Sequence, residues 1–312
     1  MHATAAFRRR LLATASTVVL ATTLAGAAAR ADDGDNSLNR FTFEMGGGLQ
    51  FYNGGNVTWI NDPNPVDIGP KNGWDITGKA TFEPAQSPWI FTLAVQYGRS
   101  GRKNESISSR FSGESGSGYY LAKADHREDH IAVDFEVGQD VGLGMLGMNG
   151  SSVISGGLRY AHFEANTNVA LAYYSVDGGV STGAIREHRT FSGVGPMISW
   201  DASTPFFNSD GPLSFDWGID GAVLFGTHSA SVDVSYSGVG YSAKRSKTVV
   251  VPAADAYAAI SYHCDTCGAK ASLGYRFDSY FNVLDGGGLG GPHGVDRIFH
   301  GPYLSVAFET GG

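Results

Sequence analysis

The amino-acid sequence predicts an all-β chain, and three observations carry that prediction. Apolar and polar residues alternate with period two in about ten short segments, as in strands whose two faces meet different surroundings. Glycine is abundant, at 44 of 312 residues, and 12% of the residues are aromatic, which is typical of strands joined by many turns. Beyond the amino terminus, no segment is continuously apolar over the ~18 residues that a membrane-spanning helix needs.

The first 31 residues read as an export signal. A basic start, MHATAAFRRR, is followed by the apolar stretch LLATASTVVLATTLAG and by the small-residue cleavage pattern Ala29-Arg30-Ala31. We therefore predict a signal peptide over residues 1–31 and one β-barrel domain over residues 32–312. Removing residues 1–31 leaves 18 Lys and Arg against 30 Asp and Glu, a net charge of −12. So acidic an exported chain is a poor candidate for binding nucleic acid.

The first strands are the clearest. WDITGKATFE (74–83) and WIFTLAVQYG (89–98) alternate strictly and flank the short turn PAQSP. The same pattern, less clean where glycine is frequent, gives ten strands, and eight to twelve fit the sequence. The predicted strands are 41–51, 74–83, 89–98, 129–138, 151–163, 191–201, 213–225, 248–262, 270–281 and 298–308.

The connections between these strands alternate in length. Short ones follow the second, fourth, sixth and eighth strands, whereas long polar ones occupy 52–73, 99–128, 164–190, 226–247 and 282–297. Short periplasmic turns and long extracellular loops are typical of outer-membrane barrels. The sequence therefore predicts a single transmembrane antiparallel β-barrel of about ten strands.

The surroundings of the apolar face distinguish a membrane barrel, in which it meets lipid, from a soluble protein, in which it meets a protein core. Trp74 and Phe82 share one face and stand eight residues apart, roughly 26 Å at ~3.3 Å per residue. That separation suits aromatic residues at the two borders of a thin apolar belt. In a soluble sandwich, the alternative, the same face would pack on a second sheet. We predict interface aromatics at Trp74, Phe82, Trp89, Tyr97 and Trp217.

The opposite face carries charge, which suits a hydrated lumen. The predicted lumen residues are Glu44, Asp75, Lys79, Glu83, Asp134, Glu136, Arg159, Asp216, Asp220, Lys270, Arg276 and Asp278. Eight are acidic and four are basic, so an open lumen would favour cations weakly. Alternatively, opposite charges pair across the interior and plug it. Ten strands lie between filled barrels of eight strands and open ones of 16–18, so the sequence leaves both states open.

Two short motifs have competing interpretations. Cys264 and Cys267 are the only cysteines, and in an exported chain we predict a disulfide between them. Free thiols, a thioredoxin-like motif and a zinc site are the alternatives. In HREDH, an extended chain would align His126, Glu128 and His130 on one face, as a metal site could require. We interpret them as polar residues at a barrel mouth and predict no catalytic residue, cofactor or metal.

Four phrases in the second half of the chain resemble a known family. They are GGLRYAHFEANTN (156–168), FSGVGPMISWD (191–201), LGYRFDSYFNVLDGG (273–287) and DRIFHGPYLSVAFE (296–309). They resemble the Legionella-type major outer-membrane protein family over residues 130–309, with a looser match earlier. The resemblance implies a pore-forming β-barrel in the outer membrane of a Gram-negative cell, reached by export through the periplasm. It supplies no catalytic residues.

These observations lead to three functional hypotheses. The first is a porin-like barrel that passes ions or small solutes and weakly prefers cations. The second is a non-conducting barrel with a structural or surface-interaction role, and the third is an outer-membrane hydrolase with residues at the mouth. The first is the leading expectation, with no enzymatic activity. The expected partners are outer-membrane lipid, the barrel-assembly machinery and small solutes or ions.

Overall fold

A computed structural model describes most of the chain as β-sheet. The described residues are 39–53, 57–59, 66–113, 116–142, 150–206, 211–264, 266–286 and 293–310. The predicted signal peptide, residues 1–31, lies outside them. Among the described residues, no helix is long and apolar enough to cross a membrane. The strands are β1 (Arg40–Asn53), β2 (Val57–Trp59), β3 (Val66–Ile68), β4 (Lys71–Glu83), β5 (Trp89–Gly101), β6 (Lys103–Gly113), β7 (Gly116–Asp140), β8 (Ser151–Ser175), β9 (Val180–Pro205), β10 (Leu213–Tyr236), β11 (Val239–Cys264), β12 (Ala269–Asp285) and β13 (Gly294–Thr310).

Ten of these strands close into a ring. The order around it is β1, β4, β5, β7, β8, β9, β10, β11, β12 and β13, and β13 pairs back with β1. Every neighbouring pair is antiparallel. Strand β6 follows β5 and pairs with the first part of β7, while β2 and β3 form a separate hairpin. The predicted ten-stranded antiparallel barrel is thereby confirmed.

Five strands are far longer than a membrane crossing requires. Strands β7 to β11 contain 24 to 26 residues, whereas a spanning strand needs ~9–11. Most of the predicted loops 99–128, 164–190 and 226–247 are in fact the outer ends of these strands. We call this region the extension and the remaining ring the barrel zone. The extension comprises β6 with residues 116–130 of β7, 161–175 of β8, 180–193 of β9, 226–236 of β10 and 239–249 of β11.

The two faces of the wall exchange their polarity where the extension begins. On β8 the outward residues Leu158 and Tyr160 are apolar and exposed, and the next outward residue is His162. Inward, Arg159 is followed by Ala161 and then by further apolar residues. The change follows the ladder across the sheet. The last row of the belt is Val133, Tyr160, Val194, Phe225 and Val250, and the second row beyond it is Asp129, Glu164, Thr190, Ser229 and Ser246.

Strand β12 bends into the lumen at its extracellular end. Its pairing with β13 shifts register between Tyr280 and Leu284, and Asn282 adopts a left-handed backbone with φ of 58°. Val283, Leu284 and Asp285 are at most 1% exposed. With Val295 and Arg297 of β13 they form what we call the inward hairpin. Because β12 turns away, its pairing with β11 begins only at Ala253.

Candidate functional site: the lumen

The barrel zone encloses a polar cavity of about 330 Å³. Ten of the twelve predicted lumen residues line it: Glu44, Lys79, Asp134, Glu136, Arg159, Asp216, Asp220, Lys270, Arg276 and Asp278. The other two do not. Asp75 is buried beside the cavity and contacts Arg276, and Glu83 lies at the periplasmic end, where it pairs with Arg40 at 2.5 Å.

Sequence reasoning missed several residues of the cavity, including Asp201, Asp255, Tyr257 and Tyr303. Asp255 stands in the segment AADAYAA, where alanine on both faces removes the contrast that sets a strand register. Asp201 follows Trp200 at the end of a predicted strand, where no alternation remains to orient it. The hydroxyl of Tyr257 donates a hydrogen bond of 2.6 Å to Asp201.

Arginine 159 is the centre of the cavity's charge network. Its guanidinium reaches Asp134 through Nε at 2.7 Å and Nη2 at 2.8 Å, and Asp220 through Nη1 at 3.0 Å. It also contacts Asp255. One cation from β8 thus faces carboxylates from β7, β10 and β11. A charge buried without such partners would cost several kcal/mol, so this network ties four strands together.

Two further ion networks cross the cavity. Arg276 contacts Asp75 and lies 3.3 Å from Asp278, and the amide of Gln96 donates to both carboxylates at 3.1 Å. Nearer the periplasm, Lys270 reaches Asp216 at 2.5 Å. The interior is therefore polar at the level of the apolar belt, but most of its charges are engaged with one another.

A buried aromatic layer lies above this cavity, on its extracellular side. The ring of His130 stacks on Phe299 at 4.4 Å and on Phe163 at 5.4 Å, and Tyr280 meets Phe163 edge-on at 4.8 Å. These four side chains are at most 4% exposed. Phe163, Tyr280 and Phe299 belong to a larger buried cluster that includes Phe191, Leu224 and Val251 from the wall and Leu284 from the inward hairpin. Apolar packing of this kind excludes water from the cross-section.

A layer of buried charged side chains lies beyond the aromatic layer. We call it the ion layer, and its centre is formed by His126, Glu128 and Arg297. Arg297 donates two hydrogen bonds to the Glu128 carboxylate, from Nε to Oε2 at 2.6 Å and from Nη2 to Oε1 at 2.5 Å. His126 lies 3.0 Å from Glu128 and 2.8 Å from Thr167. Burial alone would raise the pKa of Glu128, but the Arg297 charge and the His126 contact outweigh it and hold the pKa well below its usual range. Two-pronged pairs of this kind are the strongest ionic hydrogen bonds in proteins.

The inward hairpin is held by the same ion layer. Arg245 of β11 contacts the carboxylate of Asp285, and Arg189 of β9 donates to the Asp285 carbonyl at 3.1 Å. Arg297, at the base of the hairpin, holds Glu128 of β7. Three strands of the wall therefore fasten the hairpin inside the lumen.

The three residues considered for a metal site do share one face. His126, Glu128 and His130 all point inward from β7 and are at most 4% exposed. However, both oxygens of Glu128 are engaged by Arg297, and His130 stacks between Phe163 and Phe299. Within the described part of the chain, no group of three or more His, Cys, Asp or Glu is arranged to hold a metal ion.

The remaining predicted residues lie on the outside or at the periplasmic end. Cys264 and Cys267 are joined by a disulfide in the turn between β11 and β12. Trp74 packs on Tyr97 with ring centroids 5.8 Å apart at the extracellular border of the belt. The other three interface aromatics lie toward the periplasmic border. There Phe82 packs between Phe41 and Phe91, Trp217 packs against Trp200, and Trp89 is 47% exposed.

A closed antiparallel ring with an outward apolar belt and a charged interior defines an integral membrane β-barrel. The family described as "Legionella pneumophila major outer membrane protein precursor" matches residues 42–310. The chain belongs to this family, as the sequence resemblance predicted, and its location is the outer membrane. No curated protein matches it.

Several solved outer-membrane barrels are similar to the chain at low identity. The outer membrane protease OmpT from Escherichia coli is 11% identical with a TM-score of 0.46, over 90% of this chain and 99% of that one. A mutant of the monoaromatic hydrocarbon channel TodX is 8% identical with a TM-score of 0.24, over 88% and 91%. The transport unit of the autotransporter AIDA-I from Escherichia coli is 10% identical with a TM-score of 0.24, over 89% and 92%.

Proposed function

We propose that this protein is a closed outer-membrane barrel that acts through its extracellular extension rather than by steady passage of solutes. The observation that carries the proposal is the aromatic layer, whose side chains from β7, β8, β12 and β13 fill the lumen. The ion layer adds a second barrier, because an ion crossing it would have to displace the Glu128–Arg297 pair. This is the non-conducting alternative of the sequence analysis.

Conductance in planar bilayers tests the closed state. We expect refolded wild-type protein to show no sustained conductance. The variant that combines Phe163→Ala and Phe299→Ala with Glu128→Gln and Arg297→Met removes the centre of both layers and should produce discrete conductance steps. The matched control is Phe225→Ala, Phe277→Ala, which removes two outward rings and should stay silent. Stable steps from the wild-type protein would reject the closed state.

A porin-like passage is the second candidate, and the cavity favours it. Its lining contains eight acidic residues, Glu44, Asp134, Glu136, Asp201, Asp216, Asp220, Asp255 and Asp278, against four basic ones, Lys79, Arg159, Lys270 and Arg276. Such a wall enriches cations, and the paired basic groups limit the effect to a weak preference. The reversal potential in a salt gradient, measured on wild-type or opened protein, tests it. An anion-selective potential would contradict the mechanism.

We further propose that the barrel is not an enzyme. A hydrolase with residues at the mouth would need accessible groups there, but His126 and His130, the histidines on that part of β7, are at most 4% exposed beneath packed side chains. A substrate could not reach them without displacing the ion layer. Turnover of lipid or peptide probes should therefore be no higher than with a denatured sample. Turnover by wild-type protein that disappears in His126→Ala or His130→Ala would overturn this.

Processing and partners follow from the same proposal. Cleavage after Ala31, testable by sequencing the mature amino terminus, would release the 32–312 domain into the periplasm. The exposed belt, including Leu158, Ile198 and Phe225, would bind outer-membrane lipid. Insertion would require the barrel-assembly machinery. Depleting that machinery should abolish the heat-modifiable form of the protein.

A further inference from the structure

Strand β12 leaves its place in the wall at a defined point. Strand β10 pairs with β11 along its whole length, whereas the pairing of β12 with β11 ends at Tyr280 and Ala253. The next residue of β11, Pro252, has no N–H to donate to a neighbouring strand. Among the described residues, 239–252 of β11 therefore have a paired strand on one side only. We call residues 248–252, which border the bend of β12, the open edge.

The register of the β11–β12 ladder identifies the residues that would meet if β12 ran straight. Each step forward along β12 corresponds to one step backward along β11, with no shift from one end of the ladder to the other. Directly opposed residues of an antiparallel pair share one face of the sheet. The opposed pairs of a straight β12 would be Phe281 with Pro252, Asn282 with Val251, Val283 with Val250, Leu284 with Val249 and Asp285 with Thr248.

The side chains of residues 281–285 suit that straight position. Phe281 and Val283 would extend the outward apolar belt, whose last residue on β11 is Val250. Asp285 would join the polar rows beyond the belt, and Leu284 would lie on the inner face, which is apolar in the extension. These residues would thus follow the same reversal of polarity as the neighbouring strands. The bent position does not require this order, because residues 283–285 are all at most 1% exposed there.

The bend is centred on Asn282. Its φ of 58° lies in the left-handed region, which asparagine tolerates better than most residues and which a straight strand does not use. The N–H of Asn282 donates to the Asp296 carboxylate at 2.7 Å. The side-chain oxygen of Asn282 occupies the space beside Gly294 that a Cβ at that position would need. A return of Asn282 to extended backbone would therefore release the bend.

Several contacts hold the bent position. Val283 and Leu284 are fully buried in the apolar cluster of the lumen. Asp285 contacts Arg245 through its carboxylate and accepts a hydrogen bond from Arg189 through its carbonyl. If the segment left the lumen, water would have to replace these contacts. They therefore favour the bent position at rest.

We propose that residues 281–285 form a gate that alternates between the inward position and a straight strand paired with the open edge. In the straight position, Leu284 and Asp285 leave their places in the lumen, and water enters the space above the aromatic layer. The inference rests on the closed barrel proposed above and adds how its extracellular half opens. Wild-type conductance and the position of β12 are separate measurements, so the two proposals can fail independently. A barrel that conducts steadily but cross-links as described next would overturn the closed state and leave the gate standing.

Cysteine cross-linking detects the straight position. Val250→Cys with Val283→Cys, after both native cysteines are replaced by serine, sets two thiols directly opposite each other when β12 is straight. The Cα atoms of opposed residues are ~4.5–5.5 Å apart, within the range of a disulfide. The control pair, Val250→Cys with Leu284→Cys, uses a neighbouring buried residue that would lie on the other face. With a mild oxidant in detergent micelles, mass spectrometry should show the first pair cross-linking at least about tenfold faster. Equal rates would overturn the gate.

Two substitutions at Asn282 test the hinge. Asn282→Val disfavours left-handed backbone and should raise the cross-linking rate of the first pair about tenfold. Asn282→Gly permits the bend and should not raise the rate. Heat-modifiable migration shows that both variants are folded. A folded valine variant that cross-links no faster than the glycine variant would reject the hinge and with it the gate.

Thiol labelling tests whether the segment vacates the lumen. Leu224 is fully buried in the same cluster as Leu284, so Leu224→Cys, again without the native cysteines, reports water entry there. A charged, water-soluble thiol reagent should label it about tenfold faster in the Asn282→Val variant than in the Asn282→Gly variant. The control, Ala122→Cys, lies in a separate buried cluster and should react equally slowly in both. Faster labelling at both positions would indicate general loosening, and no change at Leu224 would show a lumen that stays filled; either result would overturn the gate.

Discussion

The barrel zone and the extension are built from the same strands with opposite polarity. Along β8, the outer face passes from Tyr160 to His162 while the inner face passes from Arg159 to Ala161. In the barrel zone the apolar side meets lipid and the polar side a hydrated cavity. In the extension the outside meets water and the inside is a packed core. A strand of constant pleat can therefore serve two environments by reversing which face is apolar.

Because of this reversal, different interactions stabilise the two regions. In the barrel zone, the ion networks replace a hydrophobic core, and lipid covers the apolar face. In the extension, buried side chains such as Phe163 and Phe191 contribute ~25 cal/mol per Å² of apolar surface removed from water. Stability should therefore respond to different substitutions in each region, and four experiments test the difference.

The largest effect is expected in the ion layer. Arg297→Met leaves the carboxylate of Glu128 buried without its partner, which should destabilise the extension by about 3–5 kcal/mol. Urea unfolding in detergent micelles measures the loss. Combining it with Glu128→Gln removes the orphaned charge and should restore most of the stability. If the single variant unfolds like wild type, the ion layer contributes nothing to the extension.

The second effect is a pH dependence that arises at His130. Burial lowers the pKa of His130 to about 4, and Asp278, Glu128 and Asp129 only partly oppose it. Between pH 6.5 and 4 the unfolded chain binds the proton more readily than the folded one, so stability falls as pH falls, by up to about 3 kcal/mol. Urea midpoints at pH 7.5 and 4.5 measure the difference.

The variant His130→Phe is the control for that measurement. It keeps an aromatic ring between Phe163 and Phe299 but cannot titrate. Its midpoint should change less with pH than that of wild type by the His130 contribution, whereas an unchanged slope would show that other groups carry the pH dependence.

The third effect is a direct contrast between the outer faces. Leu158→Arg places a cation in the apolar belt and should cost about 2 kcal/mol, since the site lies between the midplane and the border. Asn166→Arg makes a similar change on the same strand in the extension and should cost almost nothing. Folding yield into lipid vesicles and urea midpoints measure both. Equal costs would mean that the polarity reversal does not mark the membrane border.

The smallest effect is expected at the periplasmic end of the barrel zone. The disulfide between Cys264 and Cys267 closes a very short loop, so its stabilisation through chain entropy is below about 2 kcal/mol. The double variant Cys264→Ser, Cys267→Ser should assemble normally and retain heat-modifiable migration. Mass spectrometry without reductant should find no free thiol in wild type. A double variant that cannot assemble would assign the bond a larger role.

The sequence predicted the barrel zone far better than the extension, for a physical reason. Segments such as 74–83 place aromatic and aliphatic residues opposite charges, so their period of two is evident. In the outer part of β8, inward Ala161 and Ala165 stand against outward Asn166 and Asn168, a contrast too weak to distinguish strand from loop. Because the apolar side is also reversed there, continuing the barrel-zone pattern outward gives the wrong face.

The contacts on which the proposed closure rests could not be predicted from linear order. The Glu128–Arg297 pair joins residues 169 positions apart, and the aromatic layer combines four strands. The sequence did predict most of the charged cavity, because a charge on the face opposite an apolar belt must point inward. Asp255 was not predicted to face the lumen, because its neighbours on both faces of the strand are alanines. Pairing between distant residues depends on shear and strand order, which alternation does not encode.

The bend of β12 makes one strand part of both the barrel wall and the filling of the lumen. A straight β12 would continue its ladder along β11 and withdraw Leu284 and Asp285 from the lumen. The bent strand pairs with β11 only from Ala253 onward and places its own end inside the barrel. The change of direction coincides with one residue of left-handed backbone, Asn282, so a single position on the chain separates the segment that faces lipid from the segment that fills the interior.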